Sequence, residues 1–412
     1  MATQITIDRA LVEKYILDLA RHGAHGETGV WRTVYSPEWV AAQAEIERWM
    51  RSAGMTVHRD AVGSLWGRIE GTEGGKSIVT GSHVDSQRPG GRYDGVMGII
   101  AGMIAVKTLV EQFGTPKRTL EVVSLCEEES SRFPTAGFWG SRAITGGIKP
   151  GDVDTTIEWE GGSISDAMRE VGLDPAQTDE AIRDDIEAFI ELHIEQGPLL
   201  EQQGLPVAVV SAINGIRTYI VEVSGVSNHA GAFPMDMRSD PMAGAAEMIS
   251  GAISTAHRWG RPAVTTVGRI SAEPNYPAIV PDRVVFSLDN RHPDPVKRKL
   301  LYETHEAMMK EIAARRGLEV SWTIRSEHAP CQCDPEIVRM LQEAAREQGV
   351  PFTTMTSGAV HDSQQMAKIA KVAMLFVQSK DGRSHTPAEF TSVEHASLGT
   401  QVLAAGLHKL AY

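Results

Sequence analysis

Apolar residues recur along this chain in two rhythms. In SPEWVAAQAEIERWMRSAG (36–54), Trp39, Ile46, Trp49, Met50 and Ala53 share one face of a 3.6-residue repeat. Ser36 suits the N-cap, Pro37 the first turn, Glu38 the positive end of the dipole and Gly54 the stop, so the spacing predicts a helix. VGSLWGRIEG then reads as a hairpin-like strand and SIVTGS (77–82) as a short buried strand. A helix is predicted over 95–113, and a second buried strand in TLEVVSLC (119–126). Apolar strands in strand–helix–strand order predict an α/β sheet covered on both faces.

Residues 151–186 are acidic and helical in pattern. AFIELHIEQGP (188–198) is strand-like, with Phe189, Glu191, His193 and Glu195 alternating against Ile190, Leu192 and Ile194. Around Ser211 the texture changes. RTYIVEVSGVS, a helical stretch over 241–259, AVTTVGRI, RVVFSLDNRH, a helix over 299–316 and LEVSWTIRS form a β-α-β-β-α-β series, a split βαβ unit. A helix over 335–348, the strand KVAMLFV (371–377) and a terminal helix over 392–411 resume the first pattern. The simplest organisation is a discontinuous α/β domain, residues 1–211 plus 329–412, with a smaller α+β, ferredoxin-like domain inserted over 212–328. There is no internal repeat and no low-complexity segment.

Composition narrows the class. The 412 residues fit two domains, and with 42% hydrophobic residues the chain can bury a sizeable core. The charge balance, 40 − 53 = −13, argues against a nucleic-acid partner, which asks for a basic face. Three cysteines cannot make a disulfide framework, so a reducing compartment is expected. Cys331 and Cys333 alone are too few for a zinc knuckle. The N-terminal stretch lacks the layout of a signal peptide. The longest apolar run, VMGIIAGMIAV (96–106), falls short of the roughly 20 residues of a membrane span. The expectation is a soluble, cytoplasmic protein with no membrane partner.

Four predicted strand ends carry acids and histidines. In GSHVDSQRPGGRYDGVMG, His83 and Asp85 follow a strand, and Asp94 sits among Gly90, Gly91, Gly95 and Gly98. Histidine and carboxylate suit zinc, manganese or nickel, and glycines let backbone crowd around an ion. A second carboxylate two residues on can take the other imidazole N–H. In SLCEEESSRF, Glu127, Glu128 and Glu129 follow a buried strand, where α/β sheets bind ligands and where neighbouring carboxylates favour a cation between them. One glutamate can bind metal while the next activates water. His193 in ELHIEQGPLLE and His385 in GRSHTPAEF complete a set sufficient for two metals that share a carboxylate.

These motifs resemble the M20 metallopeptidase superfamily in its hydantoinase/carbamoylase branch. GSHVDS, GGRYDGVMG, EEESSRF, GSRAITG, HIEQGPLLE, NHAGAFPMDMRSDP, DNRHPD, SGAVHD and SHTPAEF occur in family order, and HIEQGP and GGRYDG are specific to the branch. The resemblance implies a mixed-sheet metallo-catalytic domain with an inserted lid and dimerisation domain, acting as a homodimer on the C–N bond of an N-carbamoyl amino acid or related linear amide. It implies His83, Asp94, Glu129, His193 and His385 as ligands of two divalent ions, zinc or manganese with cobalt or nickel possible, and Asp94 as their bridge. Glu128 would be the general base, Asp85 the partner of His83, and His229 an oxyanion donor reaching a neighbouring subunit. Arg291 would grip a substrate carboxylate, a task suited to a bidentate guanidinium. Gln196, Asn275 and His361 would be further substrate contacts.

The sequence departs from the family pattern at Ala278, where many members have asparagine, at Phe233 in HAGAFPM and at Val360 in SGAVHD. Each change makes the pocket more apolar and none touches a ligand or the base. Three rival readings are an M20 dipeptidase or aminoacylase, against which HIEQGP argues, a metal-free amidase using Cys126 as nucleophile beside Glu127, and a non-catalytic metal-binding scaffold. Retention of both Glu128 and Glu129 speaks against the last.

Overall fold

The computed structural model describes residues 4–412; Met1–Thr3, the start of the N-terminal stretch read above, lie outside the described residues. The chain forms two compact units, one of Met1–Ser211, Cys333–Met355 and His361–Tyr412, the other of Ala212–Gln332 and Thr356–Val360. The second unit therefore extends beyond 212–328. Its five-residue segment is bonded in, with the Asn214 N–H donating to Ser357 O at 3.0 Å and Arg291 Nη1 to Gly358 O at 3.0 Å.

In chain order the elements used below are α1 (Arg9–Leu19), α2 (Pro37–Ser52), β1 (Thr56–Arg59), β2 (Leu65–Ile69), β3 (Ser77–His83), α3 (Val96–Phe113), β4 (Leu120–Leu125), β5 (Ile186–Ile194), α4 (Leu199–Gln203), β6 (Val207–Ile213), β7 (Gly215–Ser224), α5 (Pro241–Trp259), β8 (Val264–Thr266), β9 (Ile270–Glu273), β10 (Arg283–His292), α6 (Pro295–Arg316), β11 (Glu319–His328), α7 (Pro335–Glu347), β12 (Phe352–Ser357), β13 (Lys371–Val377) and α8 (Val393–Ala411).

The first unit is built on a mixed sheet in the order β6-β13-β5-β3-β4-β2-β1, with β12 also paired to β6. Strands β13, β5, β3 and β4 run parallel, while β2, β1 and β6 are antiparallel additions. The register sets His83 beside Leu125 and His193 beside Phe376, so the four parallel strands end along one edge, where such sheets bind ligands. Ser36 caps α2 by accepting from the Trp39 N–H at 3.2 Å, and Pro37 opens its first turn. α3 is apolar enough by length and composition to cross a membrane, yet it is 67% buried within this unit. Its fully buried Ile99 and Ile100 contribute roughly 1.5–3 kcal/mol each.

Strands β1, β6, β9 and β12 were not foreseen. β6 (VAVVSAI) runs into the change of texture near Ser211, and β12 (FTTMTS) is too polar to mark a strand by period. Residues 151–186 hold only the short helical pieces Asp152–Thr155, Ile164–Glu170 and Pro175–Ala181, because glycines at 161, 162 and 172 break the pattern.

The second unit is an antiparallel sheet in the order β8-β10-β7-β11, with β9 continuing beside β10. Residues alternate inward along β7 and β10, where Tyr219, Val221, Val223, Val284, Phe286 and Leu288 join Met248 of α5 and Met309 of α6 in one core. Both helices begin at Asp-Pro, and Asp240 and Asp294 accept the first free N–H groups. α6 starts at Pro295, one turn before its expected start at 299.

Within this core His305 is fully buried, and its Nδ1 lies 2.8 Å from Asn290 Oδ1. The amide oxygen can only accept, so Nδ1 carries the proton. Burial lowers the His305 pKa to about 4. The folded pKa lies below the unfolded value, so this stability is fully present above pH 6.5 and is lost as pH falls towards 4, by about 3 kcal/mol. His305→Gln should be less stable than the parent at pH 7.5, with the gap in melting temperature closing by pH 4.5. A gap independent of pH would remove His305 as its source.

Candidate metal and catalytic site

At the shared edge, β3 ends in His83, β5 carries His193 one residue from its end, and the loop after β13 presents His385. Asp94 lies among them. Its Oδ1 is 3.7 Å from His83 Nε2 and 3.1 Å from His193 Nε2, while its Oδ2 is 3.3 Å from His385 Nε2. Glu129 Oε2 stands 3.5 Å from the same His385 nitrogen. Two groups of potential ligand atoms result, His83–Asp94–His193 and Asp94–Glu129–His385, with Asp94 in both. Glu128 belongs to neither group, but its Oε2 faces His83 Nε2 at 3.8 Å.

The rings are turned by the backbone. His83 Nδ1 lies 3.1 Å from the carbonyl of Asp85, and His193 Nδ1 lies 3.0 Å from that of Ile194. A carbonyl can only accept, so both rings carry a proton on Nδ1, and their Nε2 atoms, which face Asp94, would offer lone pairs to a cation that displaced the second proton. Asp85, expected as the partner of His83, meets it chiefly through its backbone carbonyl. Its carboxylate is 3.6 Å from His83 Nδ1, too long for a hydrogen bond, and it accepts instead from the backbone N–H groups of Glu128 and Glu129 at 3.1 Å. Gly95 is required between Asp94 and α3. It has φ +66°, and a Cβ there would stand 2.4 Å from the His83 ring.

The charges are unbalanced by side chains alone. The ion-pair partners of Asp94, Glu128 and Glu129 among the described residues are histidines only. Burial pushes Glu128 well above the usual range, with Glu129 and Asp362 adding to it against His83. Burial and then Asp94 push Glu129 up to about 7. For Asp94 burial acts upward too, but His193 and His385, hydrogen-bonding it in their protonated form, and the charge of His83 hold it well below its ordinary value. Buried carboxylates facing imidazole nitrogens are a donor set that fits divalent cations, which would replace the imidazole protons between them.

Other expected residues fall differently. Gln196, expected to touch substrate, donates from Nε2 to Asp94 Oδ2 at 3.0 Å, with the backbone left-handed at φ +54°. Its neighbour Glu195 caps α4 by accepting from Leu199 and Leu200. His361 is 2% exposed and packs edge-on against the His193 ring at 4.6 Å between centroids. Glu191, His193 and His361 form a third group of ligand atoms, but the Glu191 oxygens are taken by Ser82 Oγ, Ser363 N and Ser363 Oγ. Cys126 is buried, donates to Tyr35 Oη at 3.3 Å, and has its thiol pushed well up by burial, the opposite of an activated nucleophile.

His229, Asn275 and Arg291 belong to the second unit. His229 is exposed, and its Nδ1 accepts from the Gly231 and Ala232 N–H groups at 3.1 and 3.0 Å, which leaves the proton on Nε2 as an outward donor. Asn275 is exposed at φ +55°. Arg291 donates to Asp289 at 3.0 Å and lines a cavity of about 470 Å³ with Val264, Leu288, Thr218 and Ser287. The departures lie beside these residues: Ala278 O accepts from the Ala230 N–H, and the Phe233 N–H reaches His229 O. Val360 follows the Gly358 carbonyl held by Arg291.

Sequence reasoning missed Gln87, whose Nε2 donates to Glu129 Oε2 at 2.7 Å, and Ser384 and Glu389, which hold the Asp94 loop. All three stand inside motifs already singled out, GSHVDSQRPG and GRSHTPAEF.

Comparison with known proteins adds to this geometry. Residues 55–409 match the profile of "Peptidase family M20/M25/M40". The chain is 39% identical over 402 residues to an allantoate amidohydrolase of Bacillus subtilis (strain 168), covering 97% of each. It is 36% identical over 405 residues to an N-carbamoyl-L-amino-acid amidohydrolase of Pseudomonas sp. (strain NS671), again covering 97% of each. A crystal structure of an amidase of the hydantoinase/carbamoylase family from Burkholderia multivorans superposes with TM-score 0.92 at 30% identity, covering 99% of this chain and 98% of that one.

Proposed function

We infer the reaction from family: this chain belongs to peptidase family M20/M25/M40, in its hydantoinase/carbamoylase branch, and is an amidohydrolase of C–N bonds in linear ureido or amide substrates. The observation that carries the site is Asp94, with one carboxylate oxygen towards His83 and His193 and the other towards His385. His83, Asp94 and His193 would hold one divalent ion and Asp94, Glu129 and His385 a second, zinc or manganese. Such ions, when bound, lower the pKa of water and polarise a carbonyl. Glu128 takes the proton from the attacking water and returns it to the leaving nitrogen. A carbamoyl substrate then releases ammonia and carbon dioxide.

In the same reading residues 212–328 act as a lid and dimerisation domain. His229, already protonated on Nε2, offers that N–H to the developing oxyanion of a neighbouring copy in a homodimer. Exposed Met235, Met237 and Tyr276, at 75%, 64% and 66%, support burial of this surface against a second chain. Arg291 receives the substrate carboxylate, Asn275 contacts its polar part, and Gln196 and His361 act through Asp94 and His193.

Ala278, Phe233 and Val360 make the substrate's surroundings more apolar, so the preferred substrate keeps one carboxylate and carries a less polar remainder than allantoate. In an ammonia-release assay on metal-loaded protein, kcat/KM for N-carbamoyl amino acids with apolar side chains should exceed that for allantoate by about tenfold or more. Faster cleavage of allantoate would overturn this substrate class, and activity confined to peptides would overturn the reaction.

A further inference from the structure

The motif that carries His385 contains one acid, Glu389, with no part in the chemistry above. It is 3% exposed, and its hydrogen bonds go to loops. Oε1 accepts from the Tyr93 N–H at 2.9 Å and the Asp94 N–H at 3.0 Å, which fixes the backbone from which the Asp94 carboxylate projects. Oε2 lies 3.0 Å from Ser384 Oγ, and that hydroxyl is 2.7 Å from Asp94 Oδ2, the oxygen that faces His385. Gly91 yields the space, since a Cβ there would come within 2.2 Å of Glu389 Oε1. A single buried carboxylate thus joins the GGRYDG loop to the SHTPAEF loop, nearly 300 residues apart in the chain.

The contacts are lopsided. Beyond the Asp94 backbone, they reach the hydroxyl of Ser384, the residue preceding His385, and through it Asp94 Oδ2, on the side of the Asp94–Glu129–His385 group. The other group is oriented by different atoms, the carbonyls of Asp85 and Ile194. We propose that Glu389 is a positioning residue for one of the two cation positions, holding Asp94 Oδ2 and His385 at the separation that lets them share an ion with Glu129. This rests on the reading of Asp94 as a bridge between two ions. Partners that orient ligands typically change metal affinity by about 10–100-fold.

The test is calorimetric titration of metal-free protein with Mn²⁺, on the parent, Glu389→Ala, Glu389→Gln and Ser384→Ala, with thermal melting as the check on folding. The parent should take up two ions. Glu389→Ala should weaken the second by about tenfold or more while leaving the first within about threefold. Glu389→Gln, which keeps an acceptor for the Tyr93 and Asp94 N–H groups, should recover most of the loss. Ser384→Ala, with those backbone bonds intact, should weaken the same ion and keeps the test open if Glu389→Ala does not fold. Equal weakening of both ions, or two ions bound with parental affinity in both Glu389→Ala and Ser384→Ala, overturns the proposal. A parent chain that takes up fewer than two ions overturns the bridged site itself.

Discussion

Glu128→Gln should leave the protein folded and able to take up metal, and should cut kcat by about 10²–10⁴-fold. Glutamine fills the same space, but its amide cannot take a proton from water. Metal uptake should survive because Glu128 stands outside both groups of ligand atoms, 3.8 Å from His83 Nε2. The measurements are ammonia release under saturating substrate and metal content of the same sample. Full turnover with metal in place would leave the reaction without its base.

The second large effect concerns the ions. Dialysis against a chelator should bring activity to background, and added Zn²⁺ or Mn²⁺ should restore it. Asp94→Asn should lose activity on the order of 10³-fold or more and resist rescue by metal, exceeding the 10–100-fold typical of partners that merely orient ligands. An amide oxygen can serve one side, but its NH₂ then faces the other set of lone pairs. Thiol alkylation of the folded protein should leave turnover unchanged, because Cys126 is buried with its hydrogen bonded to Tyr35. Activity that survived chelation and fell on alkylation would reverse the choice between these chemistries.

Much of the site is readable in the chain because its chemistry sits at strand ends. A buried strand that ends at or beside His or Glu points to a site: β3 ends in His83, β5 carries His193 next to its last residue, and Glu127, Glu128 and Glu129 follow β4 after Cys126. What pattern cannot supply is which atom of a side chain meets which partner. Asp85 serves His83 through its carbonyl and the glutamates through its carboxylate, a division set by loop backbone. Gln196, Glu127 and His385 adopt left-handed φ values of 54°, 47° and 56° without being glycine, so nothing in composition announces where they aim. The fold shows the same split. Asp-Pro starts and apolar strands are local signals, whereas β6 and β12 are strands because of the neighbours they pair with.

The Asp85 carboxylate has one more implication. It receives the N–H groups of both Glu128 and Glu129, while the carbonyl of the same residue sets the His83 ring. One residue therefore carries the heading of a histidine and two glutamates that the chain encodes more than forty positions apart. The two segments are tied through this residue: removing its carboxylate should free the Glu128 and Glu129 N–H groups while its backbone carbonyl still holds the His83 ring.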